Sequence, residues 1–125
     1  MSTVKFSQDH QWIRLDGDIA TIGITDYAQR QLGDIVYVDL PIIGTTVEQH
    51  GDICVVESVK SAGEVKAPIG GEILDVNASL MEEPQRINTD PMGDGWFVKL
   101  RPSNVDELQV LLDEQAYNEF VSGLA

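Results

Sequence analysis

The stretch Cys54-Val55-Val56-Glu57-Ser58-Val59-Lys60-Ser61-Ala62-Gly63-Glu64-Val65-Lys66-Ala67-Pro68 decides the fold and places one lysine. Residues 53–56 form a β-branched and apolar run typical of a strand, and residues 64–67 indicate a second short strand. Between them, residues 58–63 carry small side chains that favour a turn. The pattern predicts a β-hairpin with Lys60 at its tip, clear of the rest of the fold, where a long attached group would swing.

The residues around Lys60 carry a resemblance to a known family. Lysines at turns are usually only solvated charges, but Glu57-Ser58-Val59-Lys60-Ser61 resembles the E-S-V-K-[AS] lipoylation motif of the glycine cleavage H proteins. The resemblance continues through Asp9-His10-Gln11-Trp12, residues 20–29, 32–36, 40–41 and 71–73, Asn88-Thr89-Asp90-Pro91 and Gly95-Trp96. Matches that occur in order over nearly the whole chain are highly specific.

The fold that this resemblance implies is all-β with short helices. It is a flattened barrel or sandwich of the lipoyl and biotinyl carrier type, with the C-terminal helices packed on it. The resemblance also implies that residues 1–125 form a single lipoyl-carrier domain. A chain of 125 residues is long enough for one hydrophobic core but not for two.

The resemblance implies a carrier of lipoate, held in amide linkage to Lys60, and not an enzyme. Such a carrier would take an aminomethyl group from glycine decarboxylase (P protein) to an aminomethyltransferase (T protein). It would then present its dihydrolipoyl group to a dihydrolipoyl dehydrogenase (L protein). A lipoylating ligase or transferase would be a further partner, and by resemblance it would recognise Glu57.

A cleft on the carrier would shelter the loaded arm, again by resemblance. It would draw on Asp9, on the neighbouring position 11 and on Glu64, whose carboxylate would meet the amine of the cargo. The sequence departs from the family here, because the usual His-Glu-Trp is His10-Gln11-Trp12. An amide forms hydrogen bonds but does not neutralise an ammonium group, so Asp9 or Glu64 would have to substitute.

Other assignments share the same tip lysine and stay open at the level of sequence. The chain would serve equally as a lipoyl donor that relays the cofactor to other enzymes, or as an unmodified H-like regulatory binding protein. Lys66 is an alternative attachment site, although it lies past the turn. Two other carrier classes fit less well. Lipoyl domains of 2-oxoacid dehydrogenases have a tip that resembles Asp-Lys-Ala, and biotin carriers have Met-Lys-Met, which is absent here.

Composition excludes several classes of partner and site. The net charge of −13, from 21 acidic and 8 basic residues, repels nucleic acid and favours docking on basic protein surfaces. No apolar run is long enough to cross a membrane. Cys54 is the only cysteine, so an intrachain disulfide is impossible, and its apolar strand predicts a buried thiol. His10 and His50 show no metal-ligand or catalytic spacing.

The first residues predict where the protein resides. Residues 1–6 have neither an apolar signal core nor an arginine-rich leader. The family resemblance begins within the first ten residues, so we expect a bacterial cytoplasmic protein. A mature mitochondrial form would look the same.

Pattern and capping residues predict the elements of the N-terminal half. A hairpin is expected over residues 11–24 around the turn at Asp16-Gly17. A helix is expected over residues 27–32, with Thr25 as its N-cap and Gly33 as a left-handed C-cap.

The C-terminal half predicts further strands and a helical cover. Strands are expected at residues 35–40, 72–76 and 96–100, and residues 81–95 are expected to be irregular. Two helices, one with Ser103 as its N-cap and one over residues 113–121, are expected to close over the sheets. Trp12 and Trp96 are expected to serve the core.

Overall fold

The protein forms two β-sheets with short helices in a computed structural model that describes residues 3–124. Within those residues the strands are β1 (Thr3–Phe6), β2 (Gln11–Asp16), β3 (Ile19–Ile24), β4 (Ile35–Asp39), β5 (Thr46–Val47), β6 (Asp52–Ser58), β7 (Ala62–Lys66), β8 (Gly71–Val76) and β9 (Val98–Pro102). The helices are α1 (Asp26–Leu32), α2 (Ser79–Glu82), α3 (Arg86–Thr89) and α4 (Glu114–Ser122), with a 3₁₀ helix at Val105–Val110. None of the helices in this part of the chain is long and apolar enough to cross a membrane.

Antiparallel pairing builds both sheets and places the core between them. The larger sheet has the order β1-β2-β3-β9-β8-β5, and the smaller has the order β4-β6-β7. Ile13, Ile22 and Val98 of the larger sheet join Val38 and Val56 of the smaller in one cluster of fully buried side chains. Strand alternation explains this, because every second residue of a strand points to the same face. The predicted β class with short helices is confirmed.

Helix α4 closes one end of the structure over a second, aromatic cluster. Phe6, Trp12 and Tyr117 are its buried members, and the rings of Phe6 and Tyr117 stack with centroids 4.8 Å apart. The backbone amide of Phe6 also donates to the carbonyl of Leu112, at 2.7 Å. The helical cover predicted for residues 113–121 is present as α4, with the side chain of Asp113 as its N-cap.

Two stretches are more regular than their sequence predicts. No element was predicted for β1, whose four residues are too few to show a period. Residues 81–95, predicted to be irregular, contain the end of α2 and all of α3. Each of these helices has four residues, about one turn, so no 3.6-residue pattern appears in the sequence.

Two predicted caps differ in detail. The N-cap of the 3₁₀ helix is Asn104, whose side chain accepts from the amide of Asp106, and not Ser103. Gly33 ends α1 with a φ of +84° but a ψ of −163°, so it lies outside the left-handed helical region.

Candidate functional site

Lys60 lies in a short, internally bonded tip between β6 and β7. The Ser58 hydroxyl accepts from the amides of Lys60 at 3.1 Å and Ser61 at 3.0 Å. The Ser58 amide donates to the carbonyl of Ser61 at 2.7 Å. Lys60 is exposed, and the ion pairs of residues 3–124 do not include it. One serine thus shapes the turn and leaves the amine of Lys60 accessible.

The tip rests on the junction between α1 and β4. The amide of Val59 donates to the carbonyl of Asp34 at 3.0 Å. The side chain of Lys60 crosses Gly33, and a Cβ atom added at Gly33 would stand 2.8 Å from Cε of the lysine. The stem of Lys60 therefore lies against the backbone, whereas the sequence predicted a side chain clear of the fold.

Asn88 in α3 holds this junction together. Its Nδ2 donates to Oε1 of Gln29 and to the carbonyl of Gly33, both at 2.9 Å. Its Oδ1 accepts from the amide of Ile35 at 2.9 Å. Both polar groups of the Asn88 side chain are therefore engaged. In the sequence, Asn88 is only one of the residues that carry the family resemblance, and no local sequence pattern indicates this structural role.

A groove of about 210 Å³ opens beside α1 and brings together three of the predicted site residues, Asp9, Gln11 and Glu64. The other lining residues are His10, Ile24, Ala28, Gln31, Leu32, Val56 and Val65. Glu57 and Lys60 are not among them. A larger cavity, of about 430 Å³, is lined by Tyr117 and other residues of α4, and no predicted site residue lines it. The smaller groove is the candidate site.

Gln11 belongs to the wall of the groove, and its amide is already engaged. The side chain is almost fully buried. Its Oε1 accepts from the Ser7 hydroxyl at 2.5 Å, and its Nε2 donates to the carbonyl of Asp9 at 3.3 Å. It therefore braces the β1–β2 turn. Asp9 is exposed at the same turn and supplies a carboxylate.

Glu64 lines the groove with its carboxylate engaged by a neighbour. Nζ of Lys66 donates to Glu64 at 2.9 Å and also pairs with Asp52. The hydrogen bond to Asp52 and then that to Glu64 raise the pKa of Lys66 to about 12. The ammonium group of Lys66 is thus engaged by two carboxylates, whereas Lys60 is in none of the described ion pairs, which makes Lys66 the weaker candidate for the attachment site.

His10 connects the groove to helix α4. It has a φ of +70°, and its Nδ1 lies 2.8 Å from the hydroxyl of Tyr117, which also lies 2.7 Å from Oγ1 of Thr25. The ring stacks at a tilt on Tyr27, with centroids 4.5 Å apart. Partial burial lowers the pKa of His10, with Asp9 opposing the effect. The neutral imidazole is therefore favoured in the groove wall.

Glu57 lies apart from the groove, on the outer face of the smaller sheet. It is exposed on β6, opposite Tyr37 of β4 and Ala62 of β7. Because it precedes the tip directly, a protein that approaches Lys60 would meet this carboxylate.

The remaining side chains singled out from the sequence serve the core. Trp12 is buried, and its Nε1 donates to the carbonyl of Pro91 at 2.9 Å. Trp96 is half-buried against the same aromatic cluster. Cys54 is buried, and burial, followed by the charge of Asp39, raises the pKa of its thiol. The predicted burial of Cys54 is thus observed.

Comparison with known families decides which kind of protein this groove and tip belong to. Residues 4–123 match the family model described as glycine cleavage H-protein. The chain belongs to the glycine cleavage H-protein family. The resemblance inferred from the sequence is confirmed, and with it the expected carrier role in the glycine cleavage system.

Relatives within the family are similar over their whole length. The glycine cleavage system H protein of Parvibaculum lavamentivorans is 53% identical over 124 residues, 99% of each chain. That of Rhodospirillum rubrum is 54% identical over 125 residues, again 99% of each chain. A crystal structure of a glycine cleavage system H protein from Mycobacterium marinum superposes with a TM-score of 0.84 at 33% identity, covering 97% of this chain and 95% of that one. The carrier-type sandwich is thereby confirmed.

The residues of this chain fit the lipoyl group that the family carries. Lys60 offers a primary amine outside the described ion pairs, on a tip that hydrogen bonds hold in place. The nearby groove has apolar walls at Ile24, Leu32 and Val56 and a carboxylate at Asp9. An acyl chain would bury methylene groups against such walls, at about 0.8 kcal/mol each. The tip and the groove thus suit attachment and shelter respectively.

Proposed function

We propose that this chain is a lipoyl-bearing shuttle that carries an aminomethyl group, with lipoate in amide linkage to Lys60. It would receive the group from glycine decarboxylase, deliver it to an aminomethyltransferase and be reoxidised by a dihydrolipoyl dehydrogenase. One observation supports this most directly: an exposed amine on a bonded tip, next to an apolar groove with an acidic edge. The relay and regulatory alternatives share the tip, but no further contact favours them.

The chain contributes position and shelter to this function. When bound, the lipoyl group would supply a disulfide, which on loading would hold the cargo on one sulfur and leave the other sulfur as a thiol. Lys60 anchors that group, and Ser58 sets the direction in which the lysine leaves the tip. Asp9 supplies a carboxylate for the amine of the cargo, while Gln11 braces the turn that carries Asp9. The catalytic groups would belong to the partner enzymes.

Surface charge suits repeated docking on several partners. With a net charge of −13, the chain is attracted to basic surfaces, and electrostatic steering raises association rates at low salt. Glu57 is the carboxylate that we assign to recognition by the lipoylating ligase or transferase, because it is exposed directly before the tip. Since the relatives compared are bacterial, we place the protein in a bacterial cytoplasm, as one lipoyl-carrier domain.

The test is attachment followed by exchange. Wild-type protein, Lys60→Arg and the matched control Lys66→Arg are each incubated with a lipoylating ligase, ATP and lipoate, and their intact masses are measured. We expect one lipoyl group on the wild type and on Lys66→Arg, and none on Lys60→Arg. Glycine-dependent bicarbonate exchange with glycine decarboxylase should follow the same pattern. Exchange that is equally fast with Lys60→Arg contradicts the proposal.

A further inference from the structure

The contact between Lys60 and Gly33 has no part in the function described so far. A Cβ atom at position 33 would stand 2.8 Å from Cε, 3.6 Å from Nζ and 3.7 Å from Cδ of Lys60. With a φ of +84° and a ψ of −163°, Gly33 occupies a backbone region that is essentially restricted to glycine. The missing side chain leaves a notch, defined here as the surface over Gly33, and the lysine stem lies in it.

Hydrogen bonds hold the notch in place without any help from Lys60. The amide of Gly33 donates to the carbonyl of Gln29 at 3.0 Å, and its carbonyl accepts from Asn88 at 2.9 Å. On the hairpin side, the amide of Val59 donates to the carbonyl of Asp34 at 3.0 Å. The floor of the notch and the tip above it therefore keep a fixed relative position.

The notch leads directly into the groove. Gln31 and Leu32, which precede Gly33, line the groove from the side of α1. Across from them, a Cβ atom at Gly63 would stand 3.7 Å from Cδ2 of Leu32, and the next residue, Glu64, also lines the groove. Tip, notch and groove thus follow one another along the junction of α1 with the hairpin.

We propose that Gly33 is a positioning residue, which provides the passage by which an arm attached to Lys60 reaches the groove. The inference rests on the proposed function, because it requires an arm on Lys60. A methyl group at position 33 would push the lysine stem out of the notch and lift the start of the arm off the backbone. Since the clashing atoms end a flexible side chain, Lys60 would move away from the methyl group, in addition to the backbone strain that any side chain adds at this positive φ.

The experiment compares Gly33→Ala with Gly44→Ala. Gly44 has a φ of +95°, but a Cβ atom there meets nothing within 4 Å, so this control adds backbone strain without touching Lys60. Wild type and both variants are lipoylated by ligase, and intact mass verifies the attachment. The readout is the rate at which tris(2-carboxyethyl)phosphine reduces the dithiolane of the isolated carrier, since shelter in the groove slows access of the reagent.

We expect reduction to be about fourfold faster in Gly33→Ala, the factor that corresponds to exposing one methylene group of the arm. Gly44→Ala should match the wild type. Equal rates in the wild type and Gly33→Ala overturn the passage while leaving the proposed function intact. A wild-type chain that accepts no lipoyl group at Lys60 overturns the proposed function itself.

The contact can also be tested in the unmodified protein, independently of any variant. We expect a nuclear Overhauser effect between Hα of Gly33 and Hε of Lys60, because the lysine stem lies over this glycine. Its absence, with effects from neighbouring residues present, overturns the notch.

Discussion

The carboxylate of Glu64 accepts a hydrogen bond of 2.9 Å from Nζ of Lys66 at the edge of the groove. The two residues lie on the same face of β7, and Asp52 of β6 shares the ammonium group. Part of the negative charge that would attract an amine-bearing cargo is therefore neutralised by the protein itself. This leaves Asp9 as the groove carboxylate best placed to act on such a cargo.

Replacing Lys66 by methionine tests this arrangement. Lys66→Met keeps the length of the side chain but removes its charge, so the carboxylate of Glu64 becomes available to the cargo. We expect the loaded carrier to release its cargo more slowly in solution, measured as the rate of formaldehyde appearance. The pKa of Asp52, which the hydrogen bond from Lys66 lowers first of all, should move back towards its ordinary value.

Lys5→Met is the matched control for this change, because it removes the same charge from β1, away from the groove. A slower release that appears equally in Lys5→Met would trace the effect to net charge and not to Glu64. Thermal midpoints should change little in either variant, since exposed ion pairs contribute little to stability.

The hydroxyl of Ser58 is expected to control how well Lys60 is modified. Ser58→Ala removes the acceptor that holds the amides of Lys60 and Ser61, so the tip should become more mobile. We expect a lower kcat/KM for lipoylation, with a loss of about 1 kcal/mol in the free energy of unfolding. Ser58→Thr retains the hydroxyl and should restore the rate. No recovery in Ser58→Thr would mean that the hydroxyl is not what matters.

Acid should weaken the fold through His10. Burial lowers its pKa below the ordinary value of 6.5, so the unfolded chain binds a proton more readily than the folded one. His10 therefore does not reduce the free energy of unfolding above pH 6.5, but it reduces that free energy as the pH falls through this value towards the lowered pKa. Urea denaturation at pH 7.5 and 5.5 measures this change in the free energy of unfolding.

His10→Asn serves as the comparison for this pH effect, because asparagine tolerates a positive φ better than most residues. We expect its stability to fall less between the two pH values than that of the wild type. The same fall in both proteins would assign the pH dependence to other groups.

Gly23 is expected to tolerate no side chain. A Cβ atom there would stand 2.7 to 2.8 Å from three atoms of the Trp12 indole, and the Trp12 side chain is almost fully buried. Gly23→Ala should lower the free energy of unfolding by about 1–3 kcal/mol, measured by urea denaturation. Gly63→Ala, whose Cβ would make only ordinary contact at 3.7 Å, should change it little. Similar losses in both would refute the steric explanation.

Much of the fold was predictable because strands and caps leave local marks. The pattern of apolar and polar residues predicted β2 and β3, and the threonine before α1 caps that helix as predicted. The short helices α2 and α3 were missed because a single turn has no period. The N-cap of the 3₁₀ helix is Asn104 and not Ser103, since neighbouring polar residues compete as caps and the local sequence does not rank them.

The sequence predicted which residues line the candidate site but not which hydrogen bonds they form. Asp9, Gln11 and Glu64 do line one groove. Their hydrogen bonds, however, depend on partners that the pattern does not indicate: Ser7 for Gln11 and Lys66 for Glu64. Residues 88–91 entered the sequence analysis only as part of the family resemblance. In the structure, Asn88 donates to the carbonyl of Gly33 and so holds the junction on which the hairpin tip rests.

The sequence by itself determined the two-sheet class, the family and the lysine at the hairpin tip, because strand periodicity and a contiguous motif are properties of neighbours along the chain. Only the tertiary structure decided where the lysine stem lies and which groove carboxylate remains available. Lys60 lies against Gly33, and Asn88 donates a hydrogen bond to Gly33, although these residues are far apart in the sequence. Such contacts follow from the positions of whole strands and helices, which no local pattern specifies.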